Sequence, residues 1–225
     1  MNSESLTIDV VSDVVCPWCY IGKRRLETAL AALVAQAPAV VPQVRWHPFQ
    51  LNPDLPPAGI ERARYLEAKF GGAARADGIY ARVREAASQS GVTLALDAIT
   101  RQPNTLAAHR LIMWTQGQRG DASSLVERLF RAYFVEGRLI GDPATLAELA
   151  ADAGGDADAA RAFLASDQLR DDVADADERA RALGISGVPF FIFNGRVALS
   201  GAHEPKTLLD AIAQARKADA TEPVA

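Results

Sequence analysis

Leu6-Thr7-Ile8-Asp9-Val10-Val11 is an apolar run that predicts a buried strand. The period then changes. Leu26, Leu30, Leu33 and Val34 recur at helical spacing, so a helix is expected from Pro17 to about Ala37. Pro17 suits the first helical position, where its missing N–H costs nothing. Pro38 and Pro42 mark a loop, and Val44-Arg45-Trp46-His47-Pro48-Phe49 alternates as a second strand. A strand–helix–strand unit of this kind has parallel strands and a right-handed crossover. Asn52-Pro53-Asp54-Leu55-Pro56-Pro57 breaks the pattern, and a long block of helical periodicity follows. Tyr65, Leu66 and Phe70 predict one helix; Ile79, Val83 and Ala87 predict a second, ended by Gly91. Leu106, Ala107, Leu111 and Trp114 predict a third, and Leu125 to Tyr133 a fourth, begun by Asp121. Asp142-Pro143 opens a fifth, and shorter helices cover Asp156–Leu164 and Leu169–Leu183, the last capped by Gly184. Phe190–Phe193 then reads as a strand, Asn194-Gly195 as a tight turn and Arg196–Leu199 as the returning strand. A closing helix is expected from Pro205 to Ala218, with a loose tail over Asp219–Ala225. The order is β-α-β, a helical block, then α-β-β-α.

Composition narrows the class. With 225 residues and 49% hydrophobic content, the chain can bury a substantial core. That length suits one domain with a large insertion, or two domains. The net charge is −4, with both signs interspersed, which argues against nucleic acid or an anionic membrane as partner. No apolar run approaches the ~20 residues that span a bilayer. Met1–Ser5 lacks a basic region, and the apolar run after it is short for a signal peptide, so a cytoplasmic location is expected.

The candidate chemistry lies in Cys16-Pro17-Trp18-Cys19, which holds both cysteines of the chain. The motif falls between the first strand and the first helix. There, free backbone N–H groups and the helix dipole favour a thiolate, the form of cysteine that attacks disulfides. The spacing therefore reads as a reversible dithiol–disulfide pair. Zinc is the alternative, but structural zinc sites want four ligands, and His47, His109 and His203 lie far apart in sequence. No metal is expected. A purely structural disulfide would close too short a loop to restrict the unfolded chain much.

Several further segments carry a resemblance to a known family. They are Ser12–Gly22, Gln50-Leu51-Asn52-Pro53, Asn104–Arg110, Leu129–Phe134, Gly187–Phe191 and Gly201-Ala202-His203. Together with the element order they resemble the DsbA-like branch of the thioredoxin superfamily, and most closely the FrnE group of intracellular DsbA-family oxidoreductases. The fold class implied is α/β, a thioredoxin-like fold with a large all-helical insertion domain. Residues 1–56 would form its first part and 57–168 the insertion. Residues 169–218 would form its second part, and 219–225 a flexible tail. The resemblance makes Cys16 the nucleophile and Cys19 the resolving thiol. It makes Pro189 a cis-proline against them, with the Val188 backbone presented to substrate. Pro17 and Trp18 would shape access, and Trp18 and Tyr20 suit either the site or the core.

The same resemblance singles out Asn104 and His109 as lining a cleft between insertion and core. A helix cap and a surface histidine are their plainer readings. His203 would tune Cys16 or contact a thiol substrate. Lys23, Arg24 and Arg25 read as a solvated helix face. Val10 stands where thioredoxin carries its buried acid, leaving Asp13 or water for proton transfer. No bound cofactor is expected; glutathione is a candidate co-substrate. The partners expected are thiol or disulfide substrates, protein or small, and a homodimer stays open. Two other functions compete with a thiol–disulfide oxidoreductase or isomerase. One is a glutathione-dependent transferase or isomerase of the kappa or 2-hydroxychromene-2-carboxylate isomerase type. The other is a non-catalytic peptide-binding or chaperone-like module.

Overall fold

Strand β1 (Glu4–Ser12) is the spine of the sheet, because Leu6, Ile8 and Val10 all turn the same face into the core. The computed structural model describes residues 4–221, and side chains through residue 218. Helix α1 (Pro17–Gln36) leaves β1 with Cys16 as N-cap and Pro17 at its first position. Strand β2 (Val40–Pro48) returns parallel to β1, in register from Glu4 opposite Val40 to Ser12 opposite Pro48. It begins four residues before the strand expected at Val44, with Pro42 inside it. An edge strand tolerates a proline because one side needs no N–H, and β2 is the edge of a sheet ordered β2-β1-β5-β6.

The block that follows is helical, as expected. It comprises α2 (Arg62–Phe70), α3 (Ala73–Gln89), α4 (Leu106–Arg119), α5 (Ser123–Phe134), α6 (Pro143–Asp152) and α7 (Ala157–Leu164). Its one departure is a two-residue ribbon, β3 (Ile60–Glu61) against β4 (Arg101–Gln102). Two paired residues are too few to give a period, so the sequence does not announce the ribbon. Asp142 and Asp156 cap α6 and α7 by accepting backbone N–H bonds from Thr145 and from Asp158 and Ala159.

Helix α8 (Arg170–Ala182) leads back to the sheet, where β5 (Phe190–Phe193) runs antiparallel to β1 and then to β6 (Val197–Ser200). Asn194 and Gly195 between them both take positive φ, 49° and 66°, as a primed hairpin turn requires. Helix α9 (Pro205–Thr221) closes the chain, three residues past the expected Ala218. Residues 219–221 of the expected loose tail are therefore helical, and 222–225 lie outside the described residues. Buried side chains run without a break from Leu6 and Ile8 through Tyr20 and Ile21 of α1 to Leu129 and Phe130 of α5. Tyr20 stacks on Phe130 with ring centroids 5.0 Å apart, which fixes one face of α1 beside the cysteines.

Candidate active site

The strand-to-helix junction after β1 places Cys16 at the α1 N-terminus, with Cys19 one turn on. Both are free thiols, 6% and 2% exposed. Cys16 uses its backbone to make the turn. Its N–H donates to the Asp13 carbonyl at 3.0 Å, and its carbonyl accepts the Cys19 N–H at 3.0 Å. The two sulfurs are set in opposite directions. A hydrogen bond from the Cys19 thiol, helped by the backbone N–H groups of Cys19 and Trp18, holds Cys16 below the ordinary thiol value. Burial and the charge of Asp13 oppose this without reversing it. Burial pushes Cys19 well above the ordinary value, and its hydrogen bond to Cys16 and the Cys16 charge add to the effect. One thiol is thus prepared to ionise and the other to stay protonated.

The loop before β5 reaches the same sulfur. The Cys16 thiol donates to the Val188 carbonyl at 3.6 Å, and the Val188–Pro189 peptide bond is cis. Gly22 allows this approach. A Cβ there would lie 2.9 Å from Pro189 Cγ, closer than real side chains come, and a tight 3.1 Å from Phe191 Cζ. The Pro189 carbonyl in turn accepts the Gly201 N–H at 2.8 Å. Trp18 stands half-exposed between the cysteines, and Pro17 is partly covered.

His109 also comes to the site, through Asp13. Its Nε2 lies 3.2 Å from Asp13 Oδ1, and both side chains are buried, at 3% and 0% exposed. The other carboxylate oxygen accepts the Leu51 N–H at 2.8 Å. Asn104 and His203 are occupied elsewhere. Asn104 accepts the Leu106 N–H at the start of α4 and donates to the Pro53 and Leu55 carbonyls. It lines a groove of about 750 Å³, whose walls include Leu55, Leu106 and Pro143 but neither cysteine. His203 lies 2.9 Å from the Ser200 carbonyl.

The solvated face expected at Lys23–Arg25 is overturned at two of its three residues. Lys23 is 2% exposed and pairs with Glu27 and with Glu127 of α5, the latter at 2.7 Å. Arg25 is also buried. It donates to Ser90 Oγ and to the Ala202 carbonyl, and it pairs with Glu204 at 2.7 Å. These contacts fasten α1 to α5 on one side and to the segment that supports Pro189 on the other. Only Arg24 keeps a substantially exposed side chain. Apart from Glu27, the partners lie on distant elements of the chain, out of reach of a local reading.

Residues 7–213 match the DSBA-like thioredoxin domain family, and the junction, the cysteine pair and the Pro189 loop all fall inside that span. The chain belongs to that family. Solved structures agree with the assignment. A Streptomyces coelicolor protein described as a probable DsbA oxidoreductase is 30% identical, with a TM-score of 0.83 over 98% of this chain and 93% of its own. A 2-hydroxychromene-2-carboxylate isomerase is 18% identical, with a TM-score of 0.68 over 96% of this chain and all of that one. The cytosolic disulfide reductase DsbM of Pseudomonas aeruginosa, solved with glutathione, is 20% identical, with a TM-score of 0.59 over 96% of this chain and 98% of its own. At such identities the last two speak for the fold alone. Among its described residues this DSBA-like protein has no helix long and apolar enough to cross a membrane.

Proposed function

We propose that this DSBA-like protein is a thiol–disulfide oxidoreductase acting through Cys16. One observation carries the reading: two thiols stand one helical turn apart at the N-terminus of α1, with the Cys16 sulfur against the carbonyl that precedes the cis Pro189. The Cys16 thiolate attacks a substrate disulfide, forms a mixed disulfide and releases the first substrate sulfur as a thiolate. Cys19 stays protonated until then, which limits premature closure. It then loses its proton and attacks the Cys16 sulfur. The second substrate sulfur leaves, the Cys16–Cys19 bond forms, and two electrons have passed to the substrate. Run backwards, the same steps oxidise a dithiol. Beside the sulfur, Pro189 offers no N–H, and the Val188 carbonyl is the acceptor at hand for an incoming group.

The FrnE-type resemblance and the cytosolic reductase of like fold support a cytoplasmic setting, with glutathione as co-substrate rather than bound cofactor. The test is glutathione-driven reduction of insulin by the parent, Cys16→Ser and Cys19→Ser. We expect Cys16→Ser to be inactive. We expect Cys19→Ser to accumulate mixed disulfides that vanish with reductant. Full glutathione-dependent turnover by Cys19→Ser would overturn the dithiol reading in favour of a transferase or isomerase. Retention of peptide binding by both variants, with no exchange by the parent, would leave only a binding module.

A further inference from the structure

Arg25 is a buried arginine on the helix that carries the cysteines, and the steps above give it no part. It stands one turn past Gly22, where Pro189 approaches α1, and it is 8% exposed. Its guanidinium reaches three partners in two distant parts of the chain. Nε donates to Ser90 Oγ at 3.1 Å, just past the end of α3. Nη1 donates to the Ala202 carbonyl at 2.6 Å, and Nη2 pairs with Glu204 Oε1 at 2.7 Å. Ser90 is itself held, because its hydroxyl donates to the Ala86 carbonyl at 2.8 Å. Glu204 is held as well, because its carbonyl accepts the Thr207 and Leu208 N–H groups at the start of α9. A planar fork with its partners fixed in this way has little freedom to drift.

What the fork grips is the segment behind Pro189. Gly201 leaves β6 at φ 101°, a backbone that favours glycine. Its N–H donates to the Pro189 carbonyl at 2.8 Å, and Ala202 is the next residue. The contacts therefore close a ring. Cys16 Sγ meets the Val188 carbonyl, Pro189 bonds to Gly201, Ala202 bonds to Arg25, and α1 runs from Arg25 back to Cys16. Seating α1 on the core does not require this reach, since Leu26, Ala29 and Leu33 already bury that helix.

We infer that Arg25 is a positioning residue for thiol–disulfide exchange: it holds the Pro189 loop at its working distance from the Cys16 sulfur, with the end of α3 in the helical insertion as outer anchor. The inference rests on the thiol–disulfide reading and adds to it a residue that acts through the loop. An attacking sulfur and a leaving sulfur must be aligned. An incoming chain guided by Val188 and Pro189 meets that condition only while the loop stays in place. A small alkylating agent needs no such guide.

The test compares the parent with Arg25→Met and Arg25→Lys. Glutathione-driven insulin reduction reads exchange. Iodoacetamide alkylation of Cys16, on the Cys19→Ser background, reads the sulfur without the guide. Hydrogen exchange at the Gly201 amide reads the loop. Arg25→Met keeps an apolar stem and removes the fork. Its insulin reduction should fall about tenfold to a hundredfold, the cost of a displacement of up to about 1 Å at the reacting atoms. Alkylation at matched pH should be unchanged, and Gly201 should lose protection while the β1 amides keep theirs. Arg25→Lys keeps a charge for Glu204, but one ammonium cannot hold all the partners of the fork. Its melting temperature should recover toward the parent, and its exchange should stay slow. If exchange, alkylation and protection across the sheet decline together, or if only the melting temperature falls, Arg25 is a structural residue and the inference is overturned. Exchange at the parent rate in Arg25→Lys overturns it too. Should Arg25→Met fail to fold, Arg25→Lys carries the comparison by itself. A parent that reduces no insulin fails the oxidoreductase reading, and Gly201 protection in the variants still decides whether Arg25 holds the loop.

Discussion

Gly22 carries no functional group, yet it sets how near Pro189 comes to α1. A methyl at Gly22 would meet the proline ring at 2.9 Å and Phe191 at 3.1 Å, and both neighbours are buried. Gly22→Ala should cost about 1–3 kcal/mol, as overpacking of a close-packed contact does. It should also lengthen the Cys16–Val188 contact and slow exchange more than it slows alkylation. Thermal melts with paired rates would check this; an unchanged melt and an unchanged exchange rate would mean the loop shifts freely. Residues of this kind mark the limit of what the sequence discloses at the site. Cys16 and Cys19 are legible because their partnership is local, three residues apart at a strand-to-helix change. Pro189 is legible by resemblance. The tie between Asp13 and His109 spans 96 residues. The ion pair between Lys23 and Glu127 spans 104 and is visible only once α1 and α5 are packed together. Charged residues on a helix default to a solvated face, and only a distant counter-charge reverses that reading.

Elements are more legible than contacts, because hydrophobic period and capping chemistry are local. Asp142-Pro143 announces α6, and Asp142 accepts both the Thr145 N–H and its hydroxyl. The misses share a physical cause, namely that sheet partners decide what local signals cannot. Pro42 reads as a break, but β2 is an edge strand and absorbs it. Ile60–Glu61 and Arg101–Gln102 pair over too short a stretch to alternate. The Asp142 cap gives a stability prediction with a definite sign. The Thr145 N–H bond, outweighing partial burial, holds the Asp142 carboxyl below the usual carboxylate range. A folded-state value below the unfolded one contributes stability at neutral pH and loses it as pH falls through the folded value. Asp142→Ala should therefore lower stability by about 1 kcal/mol at pH 7. The gap should close in acid, below the ordinary carboxylate range. Urea unfolding of parent and variant at pH 7 and at pH 2–3, on the acid side of that range, would read it. A gap unchanged in acid would mean the loss is of packing at Leu146 rather than of the charged cap.

At the scale of the whole molecule, the redox state and the stability of the fold are linked through one sulfur. The folded dithiol form holds Cys16 below its ordinary value, chiefly by the Cys19 hydrogen bond and backbone N–H groups. The unfolded chain has no such arrangement, so the thiolate stabilises the folded dithiol protein and nothing comparable stabilises the folded disulfide form. A disulfide between Cys16 and Cys19 closes a very short loop and restricts the unfolded chain little. Closing the bond also discards the thiolate and the hydrogen bonds that hold it. The dithiol form should therefore melt above the disulfide form at pH 7–8. Cys19 does not reverse the sign there. Its value is raised, so it stays protonated in both the folded and unfolded states until the pH passes the ordinary thiol range. On lowering the pH, the Cys16 contribution is lost as the folded value is crossed, and the two melting temperatures should converge. Scanning calorimetry on the reduced and oxidised protein from pH 4 to pH 8 measures both the sign and the convergence. A disulfide form that melts higher at every pH would show that the helix N-terminus gains more from the covalent link than from the thiolate. The proposed division of labour between Cys16 and Cys19 would then have to be redrawn.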